Sequence, residues 1–106
     1  RLPVKPLVLA VVIPTFNEAG NVEELVRRLD RALAGVNWEA VFVDDNSPDG
    51  TAERLRELGR KDSRVRVIER IRRRGLSSAC IEGMMATAAP LIAVMDADLQ
   101  HDPETL

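Results

Sequence analysis

The sequence of 106 residues predicts a single α/β domain built on a parallel β-sheet with helices on both of its faces. Three observations lead to this fold class. Leu7–Ile13 is continuously apolar and rich in β-branched residues, which is typical of a strand buried on both faces. Strand-like and helix-like segments then alternate along the chain. Clusters of polar turn residues separate several of these segments, as between strands and helices of such domains.

The predicted elements follow the order β-α-β-α-β-α-β. Pro14 is expected to end the first strand, and Asn21 with Glu24 to form a capping-box-like pair at the start of the first helix, which Gly35 ends. The later predicted elements are a strand over Trp38–Val43, a helix over Thr51–Gly59, a strand over Val65–Ile68, a helix over Ser77–Ala88, a strand over Leu91–Met95 and a helix start at Asp102. Gly83 favours close packing of the third helix on the sheet.

The connections are long enough for parallel pairing, so we expect the strand order 3-2-1-4, a Rossmann-like arrangement. In that order the winding direction changes between strands one and four. Ligands of such sheets bind outside the carboxyl ends of the strands, beside the point of change. The sequence therefore predicts a ligand site after strands one, two and four.

Composition excludes several other classes of protein. Fifteen basic and seventeen acidic side chains give a formal net charge of −2, so bulk charge offers no support for nucleic-acid binding. The single cysteine, Cys80, can form no internal disulfide, and nothing indicates an oxidising compartment, so a cytoplasmic location is expected. Because Arg1 is not a natural start and residues 103–106 resemble a helix beginning, we expect 1–106 to be a partial domain of a longer protein.

Three polar clusters follow neighbouring strands: Pro14–Glu18, Asp44–Ser47 and Asp96–Asp98. We expect them to converge on one crevice. The pattern brings four carboxylates to the site, those of Asp44, Asp45, Asp96 and Asp98. Two carboxylates about 4 Å apart repel by roughly 4 kcal/mol at an effective dielectric near 20. A bound cation, an arginine or protonation must offset that repulsion. Oxygen donors suit Mg²⁺ or Mn²⁺, and such an ion completes its shell with phosphate and water, so a nucleotide diphosphate is the expected guest.

Alternative interpretations stay open for individual motifs. The Asp44–Gly50 segment can equally be a turn that caps a helix, and Asp96–Asp98 alone is a common pattern. The first loop holds neither a Gly-x-Gly-x-x-Gly motif nor a P-loop, which argues against a nicotinamide or P-loop site, and Phe16 is a candidate for stacking on a base. Arg70 and the arginines at 72–74 either meet a diphosphate or an anionic lipid headgroup, or form a solvated loop.

Three other residue types are expected to take no direct part in the site. His101, the single histidine, lies at a helix start and is expected to be structural or a neighbour of the site. Cys80 is expected to lie in the core. The methionines are expected to pack, at Met84, Met85 and Met95.

The motifs Val12–Glu18, Val43–Thr51, Gly75–Ala79 and Met95–His101 resemble the family 2 glycosyltransferases, and within them the dolichol- or polyprenol-phosphate mannose synthases. The match runs over nearly the whole chain in the expected order. The resemblance implies a GT-A fold, of which this chain is the nucleotide-binding half. It also implies inverting transfer of a sugar, mannose from GDP-mannose being favoured, to a polyprenyl or dolichyl phosphate at the cytoplasmic face of a membrane.

The resemblance also implies roles for individual residues. The nucleotide pocket would be lined by Pro14, Phe16, Asn17, Glu18, Asp45, Asp96 and Ala97. Catalysis would involve Asp96 and Asp98, and Mg²⁺ or Mn²⁺ would be held by Asp96, Asp98 and Gln100. Arg74 would contact a phosphate. Two alternative functions stay open. One is a family 2 glycosyltransferase that uses a UDP-sugar and another acceptor, and the other is a non-catalytic nucleotide-binding module.

Two departures from the family pattern affect these expectations. Asp102 stands where the family often has proline, and it is an acceptable helix cap, so no change of function is expected. The acceptor-binding half of the family would follow Leu106, so we expect this piece to be inactive alone and to bind nucleotide weakly at best. Its fourth strand would be an apolar sheet edge, which predicts self-association.

Overall fold

A computed structural model describes residues 6–70 and 75–97 of the chain. The elements are β1 (Leu9–Thr15), α1 (Val22–Ala32), β2 (Trp38–Asp44), α2 (Thr51–Lys61), β3 (Val65–Glu69), α3 (Leu76–Met85) and β4 (Leu91–Val94). The four strands form one parallel sheet in the order β3-β2-β1-β4. This confirms the predicted α/β class and the Rossmann-like order 3-2-1-4. The helix expected after Asp102 lies outside the described residues.

The helices cover both faces of the sheet. Successive side chains of a strand point to opposite faces, so one strand can supply two separate cores. On the first face, α1 and α2 pack against β1 and β2 through Leu25, Leu29, Leu55, Val11, Ile13 and Phe42. On the second face, α3 packs through Ala79 against Val12, Val41 and Val43. The continuous apolar run of β1 therefore reflects burial on both sides.

Pro14 does not end β1, contrary to the sequence prediction, because the strand continues to Thr15. The carbonyl of Val12 accepts a hydrogen bond from the N–H of Met95, so the backbone groups of Val12, and those of Pro14 two residues later, point toward β4. β4 has already ended at Val94, and the ladder needs no donor at Pro14. The other side of β1 still pairs with β2, where Pro14 lies opposite Val43.

The expected capping box at the start of α1 is not formed. Asn21 occupies the N-cap position without a side-chain cap hydrogen bond. Its Nδ2 instead donates to Glu18 Oε2 at 2.8 Å, which ties the helix start back to the preceding loop. Glu24 forms an ion pair with Arg27 Nε at 3.1 Å on the surface of α1. Asn21 and Glu24 thus each bind another side chain in place of the backbone N–H groups of a capping box.

Gly83 brings α3 into close contact with the sheet, as its sequence predicts. A Cβ atom built on Gly83 would overlap the Val12 side chain and lie 3.1 Å from Val43 Cγ2. Met84 and Met85, expected to pack, are instead exposed to 43 % and 81 %, because they lie on the side of α3 away from the sheet. Met95 is partly buried against the first core, as expected.

β4 is an apolar strand with little cover in the described part of the chain. All four of its residues are exposed, Leu91 to 59 % and Val94 to 50 %. Within residues 6–70 and 75–97, the sheet order places β4 at an edge beside β1. The predicted apolar edge is therefore present. Separately, none of the helices in the described residues is both long enough and apolar enough to span a membrane.

Candidate functional site

The carboxyl ends of β1, β2 and β4 lie next to one another at one edge of the sheet. Thr15, the last residue of β1, is in register with Asp44, the last residue of β2. β4 ends at Val94 beside Val12, and Asp96 follows two residues later. The three polar clusters, far apart in sequence, therefore emerge at the same edge, which is the arrangement that the strand order requires.

Asp44 is fully buried and does not face this site, contrary to the expectation that it joins the other carboxylates. Its Oδ1 accepts hydrogen bonds from Thr15 Oγ1 at 2.9 Å and from Ser47 Oγ at 2.6 Å, and its Oδ2 accepts one from the Ser47 N–H at 2.9 Å. These donors satisfy a carboxylate that would otherwise be costly to bury. Asp44 is a structural residue that joins β1 to the loop after β2.

Asp45 lies on the other face of the sheet, because neighbouring residues of a strand point to opposite sides. Its Oδ1 accepts a hydrogen bond of 2.5 Å from Arg70 Nε. Arg70 also donates from Nη1 to Ser78 Oγ at 2.8 Å and from Nη2 to the Gly75 carbonyl at 3.0 Å, both at the start of α3. Asp45 is thus held by an arginine that also fixes the start of α3.

Arg70 therefore fits neither of its expected roles. Its side chain is only 3 % exposed, so it is neither part of a solvated loop nor a free contact for a diphosphate. The hydrogen bond to Asp45 raises the pKa of the Arg70 guanidinium above its ordinary value, against the opposing effect of burial. The sequence allows a bound cation, an arginine or protonation to offset the repulsion between carboxylates. At Asp45 the structure shows an arginine, Arg70.

The loop after β1 presents side chains at the surface beside Asp45. Phe16 is 47 % exposed and Glu18 is partly buried. Asn17 adopts a left-handed backbone conformation with φ of 56°, which asparagine tolerates better than most residues. Pro14 is partly buried at the end of β1. These positions agree with an exposed ring at Phe16 that a planar base can contact.

The same loop is attached to the loop after β2 by three hydrogen bonds. The N–H groups of Asn17, Glu18 and Ala19 donate to Ser47 Oγ, Thr51 Oγ1 and Asp49 Oδ2 at 2.9, 3.0 and 3.2 Å. Asp49 Oδ1 also accepts from the Thr51 N–H at 3.1 Å, at the start of α2. The alternative interpretation of this segment as a helix-capping turn is therefore correct for Asp49.

A cleft of about 150 Å³ lies between β1, β4 and α3. It is lined by Pro14, Cys80, Val94, Met95 and Asp96. Cys80, expected in the core, is only partly buried and contributes to this wall. Asp96 is exposed and lines the cleft together with Cys80 of α3, so it lies on the same side of the sheet as α3.

Ala97 is 1 % exposed and its side chain belongs to the first core. Only its backbone is therefore available to a nucleotide.

Several predicted site residues lie outside the described residues: Arg74, Asp98, Gln100 and His101. Within the part of the chain that the structure does describe, no group of three or more His, Cys, Asp or Glu side chains is placed to hold a metal ion. Asp45 and Asp96 are the predicted site carboxylates that the structure describes on the α3 side, where Glu82 of α3 also lies 3.9 Å from Arg70.

Sequence reasoning missed the roles of Arg70 and of the three acceptors Ser47, Asp49 and Thr51. The acceptors carried a signal, because serine, threonine and aspartate just before a helix commonly bind backbone N–H groups. That signal points to their own helix, where Asp49 does bind the Thr51 N–H, but the structure also directs all three to a loop some thirty residues earlier in the chain. Arg70 carried no local signal that separates it from the arginines that follow it.

Comparison with known proteins places this geometry in a family. The family model described as glycosyl transferase family 2 matches residues 10–106. The dolichol-phosphate mannosyltransferases of Pyrococcus furiosus and Saccharomyces cerevisiae are 51 % and 39 % identical, each over 92 % of this chain and over 28 % and 38 % of their own lengths. The dodecaprenyl-phosphate galacturonate synthase of Rhizobium johnstonii is 38 % identical over 98 % of this chain and 32 % of its own length.

A solved structure with the same fold is a mannosyltransferase from Pyrobaculum calidifontis in complex with GDP-mannose and Mn²⁺. It is 26 % identical, with a TM-score of 0.72 over 85 % of this chain and 27 % of that one. The fold is thus that of GT-A glycosyltransferases. The chain spans roughly a third of the length of the curated relatives it matches, between 28 % and 38 %. The matched family model, these relatives and the shared fold agree, and the chain belongs to glycosyl transferase family 2.

Proposed function

We propose that this chain is the nucleotide-sugar-binding part of an inverting glycosyltransferase that transfers mannose from GDP-mannose to a polyprenyl or dolichyl phosphate. The observation that carries the proposal is the meeting of three loops at one sheet edge, with Pro14, Asp45 and Asp96 on the α3 side. The mannosyltransferase solved with GDP-mannose and the relatives named dolichol-phosphate mannosyltransferases support mannose as the sugar.

The described residues divide the nucleotide between two loops. The exposed ring of Phe16 offers a flat apolar surface for the base, a contact worth about 1–3 kcal/mol for bases on aromatic side chains. Asp45 offers a carboxylate that accepts hydrogen bonds from base N–H groups, and Arg70 holds it in one orientation. Asn17 and Glu18 complete the wall beside Phe16.

The metal proposal rests on the chemistry of the donor set. Asp96, Asp98 and Gln100 supply oxygen atoms, which suit Mg²⁺ or Mn²⁺ and not metals that prefer sulfur. The exposed carboxylate of Asp96 at the cleft agrees with a role at the solvent-facing side of a bound diphosphate. A divalent ion held there would neutralise the charge that develops on the leaving nucleoside diphosphate.

The acceptor side of the reaction is proposed from its chemistry. A lipid phosphate already carries an anionic oxygen, so a strong general base is less necessary than for a sugar hydroxyl. Arg74 is the proposed phosphate contact. We place the whole protein at the cytoplasmic face of a membrane, and we expect this piece alone to bind nucleotide weakly and to perform no transfer.

Calorimetric titration tests the donor and the metal together. GDP and GDP-mannose should bind this chain in the presence of Mn²⁺ more tightly than UDP and UDP-glucose do. Asp98→Ala should abolish the dependence on Mn²⁺, whereas Glu57→Ala, which removes an exposed carboxylate on α2, should leave it intact. Nucleotide binding that is indifferent to Mn²⁺ and to Asp98→Ala would contradict the metal assignment. Turnover of GDP-mannose with a polyprenyl phosphate by this chain alone would contradict its proposed inactivity.

A second donor class stays a candidate because of one relative. The galacturonate synthase from Rhizobium johnstonii is almost as similar to this chain as the yeast mannosyltransferase, at 38 % and 39 % identity. That enzyme is named for another sugar, galacturonate, and for another polyprenyl phosphate. Preference for UDP over GDP in the same titration would favour this alternative, and the three loops would keep their roles.

A further inference from the structure

Three consecutive N–H groups of the loop after β1 bind side chains of one other loop. Asn17, Glu18 and Ala19 donate to Ser47, Thr51 and Asp49, which lie 30 to 33 residues later. Consecutive N–H groups after a strand are the usual means by which a loop binds phosphate. Here protein oxygens occupy them, so this loop can contact a nucleotide through its side chains and not through a row of N–H groups.

The acceptor oxygens are themselves fixed in orientation. Ser47 Oγ gives its single proton to Asp44 Oδ1, and Thr51 Oγ1 gives its proton to Asp49 Oδ1 at 2.5 Å. Because a hydroxyl has only one proton, each oxygen must then present a lone pair to the N–H it meets. Thr51 is fully buried, so water cannot compete for its oxygen, whereas Ser47 is partly buried and Asp49 is exposed. The acceptors are therefore held ready whether or not a ligand is bound.

The loop they hold has a backbone that needs support. Asn17 has a φ of 56°, a left-handed conformation that costs energy in residues other than glycine and persists where surrounding contacts impose it. Its own N–H is the first of the three bound by the loop after β2. Phe16 and Glu18 flank Asn17, so the direction of both side chains depends on this conformation.

We propose that Ser47, Asp49 and Thr51 are positioning residues that hold Phe16 and Glu18 in the orientation that binds the nucleotide. This inference rests on the proposed nucleotide site. Asp45 precedes these three residues in the chain. The segment after β2 therefore supplies a base contact through Asp45 and also holds the loop after β1, which carries Phe16 and Glu18. The two walls of the pocket then form one preorganised unit, which lowers the cost of ordering on binding.

The charge of Asp49 supports the same arrangement. Burial acts to raise the pKa of the Asp49 carboxyl, but hydrogen bonds from the Thr51 hydroxyl and from the N–H groups of Ala19 and Thr51 outweigh it and lower the pKa. Asp49 is therefore ionised at neutral pH. A negative charge at the start of α2 is favourable because the N-terminus of a helix carries a partial positive charge.

The test compares Thr51→Val with Thr51→Ser by titration with GDP and by amide hydrogen exchange without nucleotide. Thr51→Val removes the hydroxyl at nearly constant volume, and it should lower GDP affinity by about tenfold or more, a loss of at least 1.4 kcal/mol. It should also speed exchange at the Glu18 amide. Thr51→Ser keeps the acceptor and should restore both. Should Thr51→Val fail to fold, Ser47→Ala tests the same proposal through the Asn17 amide.

A control separates positioning from loss of stability. Val65→Ala removes buried volume in β3 without touching either loop, and it should lower the free energy of unfolding while leaving GDP affinity unchanged. GDP affinity equal to that of the original chain in a folded Thr51→Val variant would overturn the positioning role. If the original chain binds neither GDP nor UDP, the proposed nucleotide site fails first and the positioning role fails with it.

Discussion

Replacing Arg70 by alanine should destabilise the chain by about 3 kcal/mol, the lower end of the cost of breaking a buried ion pair. The Arg70 side chain is 3 % exposed and Asp45 is 16 % exposed. The variant leaves a nearly buried carboxylate without its cation, and it removes the bonds to Ser78 and Gly75. The lower end applies because water reaches part of Asp45 and screens its charge.

Urea denaturation measures this effect. A loss of about 3 kcal/mol with a slope of 1–3 kcal/mol per molar urea moves the midpoint by more than about 1 M. Arg27→Ala is the matched control, because it also removes an arginine from an ion pair. Arg27 pairs with Glu23 and Glu24 on the surface of α1, where its side chain is 58 % exposed, so its loss should move the urea midpoint far less than the loss of Arg70 does.

Neutralising the partner tests the mechanism of the effect. Asp45→Asn should reduce the cost of Arg70→Ala, because the nearly buried carboxylate is then absent and only Glu82, 3.9 Å from Arg70 and 32 % exposed, loses a cation. Arg70→Lys should recover part of the stability, since an ammonium can meet Asp45 but cannot also reach Ser78 and Gly75 with a planar fork. If Arg70→Ala costs no more than Arg27→Ala, or costs the same with Asn at position 45, the ion pair does not stabilise the chain as described.

Two further predictions concern acid stability and association. The pKa of Asp49 is lowered in the folded state, so its contribution to stability is fully present above its usual pKa of 3.8 and is lost as the pH falls through the lowered value. Asp49→Asn should therefore flatten the acid limb of a plot of unfolding free energy against pH, and an unchanged limb would count against the hydrogen bonds to this carboxylate. We also propose that the chain self-associates through β4, whose Leu91 is 59 % exposed. Light scattering at high concentration should show dimers or larger species that Leu91→Lys reduces, whereas a strictly monomeric original chain would exclude this association.

Local patterns in the sequence were sufficient to predict the elements and the strand order. The apolar run of β1, the alternation of segment types and the polar residues at the strand ends are properties of short stretches. Pro14 was misleading because the rule that proline ends a strand considers one chain alone. In the sheet, the missing N–H points to a neighbour that has already ended, so the strand continues to Thr15.

Side-chain partners were harder to predict because they depend on distant segments. Asp44 and Asp45 are adjacent, and the alternation of a strand already implies that they face different sides, although it does not say which one faces the ligand. Arg70 was grouped with the arginines that follow it, since only Asp45, 25 residues earlier, distinguishes it. The local sequence around Ser47 likewise indicates only a turn residue, because its partner, the Asn17 N–H, lies 30 residues earlier.

The missing side chain at Gly83 has a mechanical consequence for the opposite end of α3. The backbone of this helix rests directly on Val12 and Val43, so any larger residue there must lift the helix from the sheet. The first turn of the same helix holds Ser78 against Arg70. A methyl group added at Gly83, near the far end of the helix and facing the sheet, would thus tilt the first turn that supports the Asp45 carboxylate, and a packing change with no ligand contact would alter the pocket.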